Sequence, residues 1–412
     1  MSELPQARIP DFLARPEIAA ILAALNRDGV ESRLVGGAVR DLLLGVTVGD
    51  IDIATTALPQ ETIRLGQAAG YKAVPTGIEH GTVTLVRDRI AFEVTTLRRD
   101  VETDGRHATV AFGTDFRDDA LRRDFTVNAL GLSLDGTVHD YCGGLTDLAA
   151  RRIRFIGDPL ERIREDFLRI LRFFRFHARF GMGEPDAAGL AACIAGRAGL
   201  EGLSRERVRA ELLKLLVAPG AAGAVSAMAG GGLLMPVIGG VPHLSRFAAI
   251  AQGEGGEQVY PAFRLAALAV SVREDALRLR ERLRLSNDEA DRIERLAQAL
   301  EGVSGRALPD VAVLRRLAHR AGADAVAGAL VLASASAGPQ TQDAVQERIA
   351  ELGRTPRFLL TGRDAMALGV PAGPRIGRLL DAAREAWIEA GCPAAREAQV
   401  GLLAAAEATP GS

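Results

Sequence analysis

Residues 34–54, Leu-Val-Gly-Gly-Ala-Val-Arg-Asp-Leu-Leu-Leu-Gly-Val-Thr-Val-Gly-Asp-Ile-Asp-Ile-Ala, constrain this chain more than any other stretch. Residues 32–35 read as a strand, and Gly36-Gly37 as a turn into a helix from Ala38 to Leu44, which Gly45 stops. Residues 50–54 read as a second strand. Strand period puts Asp50 and Asp52 on one face and Ile51 and Ile53 on the other. Glycines let a backbone approach a phosphate, and free N–H groups at a helix start attract anions; Arg40 adds a charged donor. A lone Gly-Gly is as often an ordinary tight turn, and this one is neither GxGxxG nor Walker A. Alternating acids are commonly a solvated strand face. The chemical alternative is a magnesium site, since that ion prefers carboxylate and phosphate oxygens. Glu93, in Ala-Phe-Glu-Val-Thr on a later strand, is the candidate third carboxylate.

The surrounding pattern sets the fold class. Residues 17–28 and 58–69 read as helices, and 71–74, 81–86 and 90–97 as strands. The charged run 98–115 reads as a loop, and Asp135-Gly136 signals a hairpin within 133–139. Mixed strands and helices to about residue 156 indicate an α/β or α+β domain. From 158 onward the pattern is almost wholly helical. One helix is expected from Ile163 to Phe180, another from Ser204 to Val217, and a capping box at Ser286–Glu289 opens a third. Gly373-Pro374 is a turn before a last helix from Ile376.

The 163–180 segment carries the second chemical signal. Asp166, Arg169, Arg172 and Arg175 form one polar ridge, and residues 151–180 hold nine Arg against four acids. Salt pairs on a helix surface explain such a ridge at tenths of a kcal/mol each. The sharper reading is base recognition. Cytosine and adenine each present an amino donor beside a ring-nitrogen acceptor, whereas guanine and uracil present the reverse order. An Asp acceptor beside an Arg donor accepts the first pair and leaves buried groups mispaired with the second.

Four stretches now coincide with a known family. Leu34–Asp41 with Gly49–Asp52, Leu121-Arg-Arg-Asp-Phe-Thr-Val-Asn-Ala129, Asp100–His107 and Glu165-Asp166-x-x-Arg169 stand in the family's order. The chain resembles the class II tRNA nucleotidyltransferases, the CCA-adding enzymes, which share a head with bacterial poly(A) polymerases. The resemblance implies an α+β fold: a DNA polymerase β-like nucleotidyltransferase head (1–156), a helical neck (157–260), and a helical body and tail (261–412) that bind tRNA. It implies that Asp50 and Asp52 bind Mg2+ and that Gly37 and Arg40 contact the nucleotide, with Gly36 shaping the turn. Arg123 and Asp124 position the nucleotide or its ribose. Asp166 and Arg169 face the base, with Arg172 and Arg175 nearer the triphosphate. The Asp100–His107 stretch is similar to the family's flexible loop, with Thr103 and Ala108 where Tyr and Pro are common.

The activity this implies is template-independent addition of CCA to a tRNA 3′ end from CTP and ATP, by a two-metal mechanism, with pyrophosphate leaving. The expected partners are tRNA, through its 3′ end and acceptor arm, and the two nucleotides, with no membrane and no protein partner. A poly(A) polymerase is the nearest rival, but Thr76–Thr82 and an Ala-rich tail differ from that group's Gly-Arg-Arg-Phe stretch and basic tail. An enzyme adding only CC or only A shares the base-reading motif and stays open. A non-catalytic RNA-binding protein on the same fold is the rival of another class. The net charge of −2 means that RNA must be met by local basic patches. Three scattered cysteines, no apolar leader and no long apolar run suggest a reducing cytoplasm. Trp387 reads as a packing anchor, and His243 and His319 as ordinary structural histidines.

Overall fold

Alternating apolar residues in the first hundred positions build five strands of a seven-stranded mixed sheet, which two short strands after residue 130 complete. Its strands are β1 (Ser32–Val35), β2 (Ile51–Thr55), β3 (Lys72–Gly77), β4 (Thr82–Arg87), β5 (Ile90–Thr96), β8 (Gly131–Leu132) and β9 (Val138–His139), in the spatial order β3-β4-β5-β2-β1-β8-β9. Only β2 and β5 pair in parallel; the other neighbours are antiparallel. The computed structural model describes residues 6–103, 108–253, 260–305 and 307–408.

Leu34, Ile53, Val83, Leu85, Phe92 and Val94 point into one apolar layer and are almost fully buried. Helix Pro59–Ala68 packs on β3 and β4. Its Gly66 sits so close to Leu85 that a Cβ would lie 2.6 Å from that side chain. The stretch 98–115 departs from the loop expected. β6 (Arg98–Thr103) and β7 (Ala108–Phe112) form a separate antiparallel pair, and Phe116–Leu121 is a helix. Charged residues interrupt the apolar alternation of the sequence there, so the strand period does not show. The loop motif Asp100–His107 lies partly outside the described residues, at 104–107.

Two compact units divide the chain, Met1–Pro236 and Val237–Ser412. The cut near 156 suggested by the end of the strand pattern runs through the first unit. Phe125 and Phe155 stack there with Phe173 and Phe176 of helix Leu168–Phe180, with ring centroids 4.9–5.4 Å apart for the Phe125–Phe155, Phe125–Phe176 and Phe155–Phe173 pairs. Such rings each contribute several kcal/mol on truncation scales, so the helix is held by the motif around Phe125.

The second unit is helical throughout its described residues. Ser286 and Glu289 form the expected capping box at the start of helix Asn287–Val303. Trp387 is 1% exposed and donates to the Pro393 carbonyl at 2.9 Å, a packing role. A helix Arg396–Glu407 follows the one expected to be last. Among the described residues, no helix is long and apolar enough to cross a membrane.

Candidate active site

The carboxylates come first. In the parallel β2–β5 pair, Asp52 stands directly opposite Glu93. Their neighbours Ile51, Ile53, Phe92 and Val94 are buried, so both acids face away from the core. Asp50 is exposed just before β2. Burial raises the Asp52 carboxyl above the usual carboxylate range; the like charge of Glu93 adds to this, Arg123 opposes it, and Asp50 adds again. Among the described residues, no cationic side chain forms an ion pair with Asp50, Asp52 or Glu93. Nor does any group of three or more His, Cys, Asp or Glu there form a ready-made metal cage. A pair of carboxylates short of a cage is what magnesium commonly uses, because substrate phosphates and waters complete its shell.

The glycine turn lies beside them, since β1 pairs with β2 and ends at Val35 opposite Asp52. Gly36 has φ +69° and ψ −125°, a conformation that strains any residue with a Cβ. A Cβ there would also lie 2.9 Å from the Arg123 guanidinium. Helix Gly37–Leu44 starts with no side-chain cap, and the Arg40 N–H bonds back to Gly36 O at 3.1 Å. The first N–H groups of a helix have no partner within it, so an uncapped start beside Arg123 favours an anion.

Arg123 is aimed by Asp119, one helical turn earlier, through bonds of 3.1 and 3.3 Å. Its Nη1 donates to Asn128 O at 3.2 Å. Asp119 also receives Arg122 at 2.5 Å and is 3% exposed. Burial pushes the Asp119 carboxyl up, but Arg123 and Arg122 outweigh it and hold the group below its ordinary value. A depressed acid contributes stability above its unfolded pKa and loses it as pH falls through the folded value. We therefore expect Asp119→Asn to cost about 3–5 kcal/mol at neutral pH, as for a broken buried pair. The gap in melting temperature to the parent should start to narrow below about pH 4 and close only below the depressed folded value; a gap independent of pH would refute the assignment.

Arg40, expected to contact the nucleotide, and Asp124, expected to help position it or its ribose, are both buried and tied to neighbouring side chains. Arg40 is 6% exposed; it donates to Asp41 at 2.7 and 2.9 Å and to Asn128 Oδ1 at 2.5 Å, with its guanidinium carbon 4.0 Å from the Phe180 ring centre. Asn128 donates to Asp124 at 3.2 Å. Asp124, also buried, is gripped by Arg172 at 2.6 and 2.7 Å. Glu211 then lies 3.9 Å from Arg172 and 2.5 Å from Arg175. One polar chain thus runs from Asp41 through Arg40, Asn128, Asp124, Arg172 and Glu211 to Arg175. It joins the glycine-turn helix to helix Leu168–Phe180.

Asp166 and Arg169, expected to face the base, sit at a break rather than inside one helix. Helix Pro159–Glu165 ends, Asp166 is extended at φ −156°, and helix Leu168–Phe180 begins. Asp166 makes the break itself, because its Oδ1 accepts from Leu168 N at 3.0 Å and so satisfies the new helix start. Its Oδ2 accepts from Arg207 at 2.6 Å. Arg169 donates to Arg162 O at 2.7 Å and to Glu165.

The family described as "Poly A polymerase head domain" matches residues 32–154, which contain the turn, the carboxylates and Arg123. The mitochondrial CCA tRNA nucleotidyltransferase 1 of Mus musculus is 35% identical over 398 residues, 93% of this chain and 89% of that protein. The chain belongs to the CCA tRNA nucleotidyltransferase family. The CCA-adding enzyme of Limosilactobacillus fermentum is 33% identical, over 89% of this chain and 90% of its own. The crystal structure of the Bacillus stearothermophilus CCA-adding enzyme in complex with CTP superposes with a TM-score of 0.71 at 28% identity, covering 99% of this chain and 98% of the other.

Within this nucleotidyltransferase framework, sequence reasoning passed over Asp119, Asn128, Glu211 and Arg207. Asp119 was detectable, since it precedes Arg122 and Arg123 by three and four residues. Asn128 lay inside a quoted motif but was given no role. Arg207 is 41 residues from Asp166, and no local pattern links them.

Proposed function

We propose that this chain adds cytidine, cytidine and adenosine to the 3′ end of tRNA from CTP and ATP, without a nucleic-acid template and with release of pyrophosphate. The observation that carries the chemistry is the pair Asp50 and Asp52, in no ion pair among the described residues, beside an uncapped helix start and Arg123. Near full-length likeness to CCA-adding enzymes, one of them solved with CTP, supports the substrate assignment.

Asp50 and Asp52 hold magnesium, with Glu93 alongside as the third carboxylate. When bound, magnesium lowers the pKa of the attacking hydroxyl and neutralises charge on the departing pyrophosphate. The protein's own work is positioning. The open N–H groups after Gly36-Gly37 and the Arg123 guanidinium bind phosphate oxygens. Arg40 and Asp124 act from behind, keeping turn and helix in register. Asp166 accepts from the amino group of cytosine or adenine, and Arg169 donates to the adjacent ring nitrogen. Both can do so while keeping their present partners, because a carboxylate oxygen has a second lone pair and a guanidinium has five N–H groups. The tRNA 3′-hydroxyl oxygen then bonds to the α-phosphorus as the bond to the β-phosphate oxygen breaks. The helical second unit holds the acceptor arm of tRNA by shape and phosphate contacts, as suits A-form RNA. Three free cysteines, two of them buried, fit a reducing compartment and support a cytoplasmic location.

The test is a single extension assay. tRNA lacking CCA is offered CTP alone, ATP alone, or both. Three residues added only with both nucleotides is the expected result. Two residues with both nucleotides, or A added only to tRNA already ending in CC, reassigns the chain to partial addition; a long A tail overturns the proposal.

A further inference from the structure

Base selection in this reading depends on Asp166, yet Asp166 sits at the least constrained kind of position, an extended residue between two helices. Something must hold its carboxylate still. On one side, Phe167 is wedged against the turn Arg197–Gly202: a Cβ on Gly199 would lie 2.0 Å from the Phe167 ring. On the other side stands helix Arg205–Leu216, capped by Ser204. Arg207 and Glu211 lie four residues apart on that helix, hence on one face. Glu211 pairs with Arg175 at 2.5 Å, and Arg207 donates to Asp166 Oδ2 at 2.6 Å. The two contacts are rungs of one ladder spanning the ridge from 166 to 175.

We infer that Arg207 is a positioning residue for nucleotide selection: it braces Asp166 so that the carboxylate presents fixed lone pairs to the incoming base. The inference rests on the function proposed above. With Oδ1 on a backbone N–H and Oδ2 on a guanidinium, the carboxylate plane is set by two donors. Remove Arg207, and only the bond from Leu168 N remains, about which the side chain can pivot. A pivoting acceptor loses its match to the amino group of cytosine, and its rejection of the uracil carbonyl weakens. Arg207 does not touch the base itself. The pair is partly exposed, with side chains 52% and 31% accessible. Such pairs add little to stability, so a variant separates positioning from folding.

The experiment uses the full-length chain with tRNA lacking CCA, measuring kcat and KM for CTP and for UTP in the parent, Arg207→Met and Arg207→Lys. For Arg207→Met, KM for CTP should rise about tenfold with kcat within about twofold, and the preference for CTP over UTP should fall about tenfold or more, the scale of one charged hydrogen bond. Arg207→Lys, which keeps one charged donor, should recover most of both. If Arg207→Met does not fold, Arg207→Lys must still show an intermediate KM and preference. An unchanged preference in a folded Arg207→Met, or a lower KM for CTP, overturns the proposal; the latter would make Arg207 a competitor of the base. A parent that adds neither nucleotide overturns the function on which this rests, and the brace with it.

Discussion

Asp52→Asn is expected to reduce nucleotide transfer at least about a thousandfold, in line with removal of a central catalytic group, while leaving the chain folded and tRNA bound. The same substitution should raise the melting temperature at neutral pH in the absence of divalent cations. Asp52 is partly buried, faces Glu93 across the β2–β5 pair, and has its carboxyl pushed upward by burial and by that like charge. An acid with a raised folded pKa helps the fold most below its unfolded pKa, and that help is lost as pH rises through the folded value. At neutral pH the carboxylate is therefore a liability that a neutral amide removes. Activity and stability should move in opposite directions, as for a residue kept for chemistry. Filter binding, extension and thermal melting on one preparation decide it. A less stable Asp52→Asn chain with partial activity would point to a structural aspartate.

Arg40→Ala has the second large effect, and of the opposite kind. Arg40 lies in the first motif, where sequence reasoning aimed it at the nucleotide. The structure buries it against Phe180 and between Asp41 and Asn128. Burial lowers its guanidinium from its ordinary value, with Asp41 opposing. Removing it strands a buried Asp41, which costs about 3–5 kcal/mol. The unfolding transition of the first unit should fall by roughly ten degrees. Nucleotide KM, measured well below that transition, should change by less than about threefold, since a residue acting through the fold alters binding far less than a lost charged contact does. A KM rise of a hundredfold in a chain of unchanged melting temperature would return Arg40 to the phosphate.

The contrast between these residues shows what the sequence discloses. Asp50, Asp52 and Glu93 were legible because strand period assigns faces, and the observed pairing of Asp52 with Glu93 needs only two strands to meet. The Gly36 turn was legible because few residues tolerate positive φ. The burial of Arg40 was not, because a buried and an exposed arginine look alike until the elements around them are packed. The break at Asp166 was hidden for a similar reason. The apolar spacing from Ile163 to Phe180 suits one helix, and the side-chain cap that interrupts it is a local choice. The charges within Arg98–Thr103 concealed the first of two strands, and with it their pairing.

The polar chain from Asp41 to Arg175 has a mechanical consequence. Its links are hydrogen bonds between buried or half-buried groups, except the looser 3.9 Å ion pair of Arg172 with Glu211, so sliding helix Leu168–Phe180 along the head by one turn would break several at once. The chain therefore acts as a caliper with locked jaws, the glycine turn on one jaw and the segment proposed to read the base on the other. Under the proposed function, a pyrimidine and a purine of different size must be measured with the same setting. On that proposal the adjustment falls to Arg169, whose partner Glu165 is solvent-accessible and cheap to rearrange, while Asp166 stays braced by Arg207.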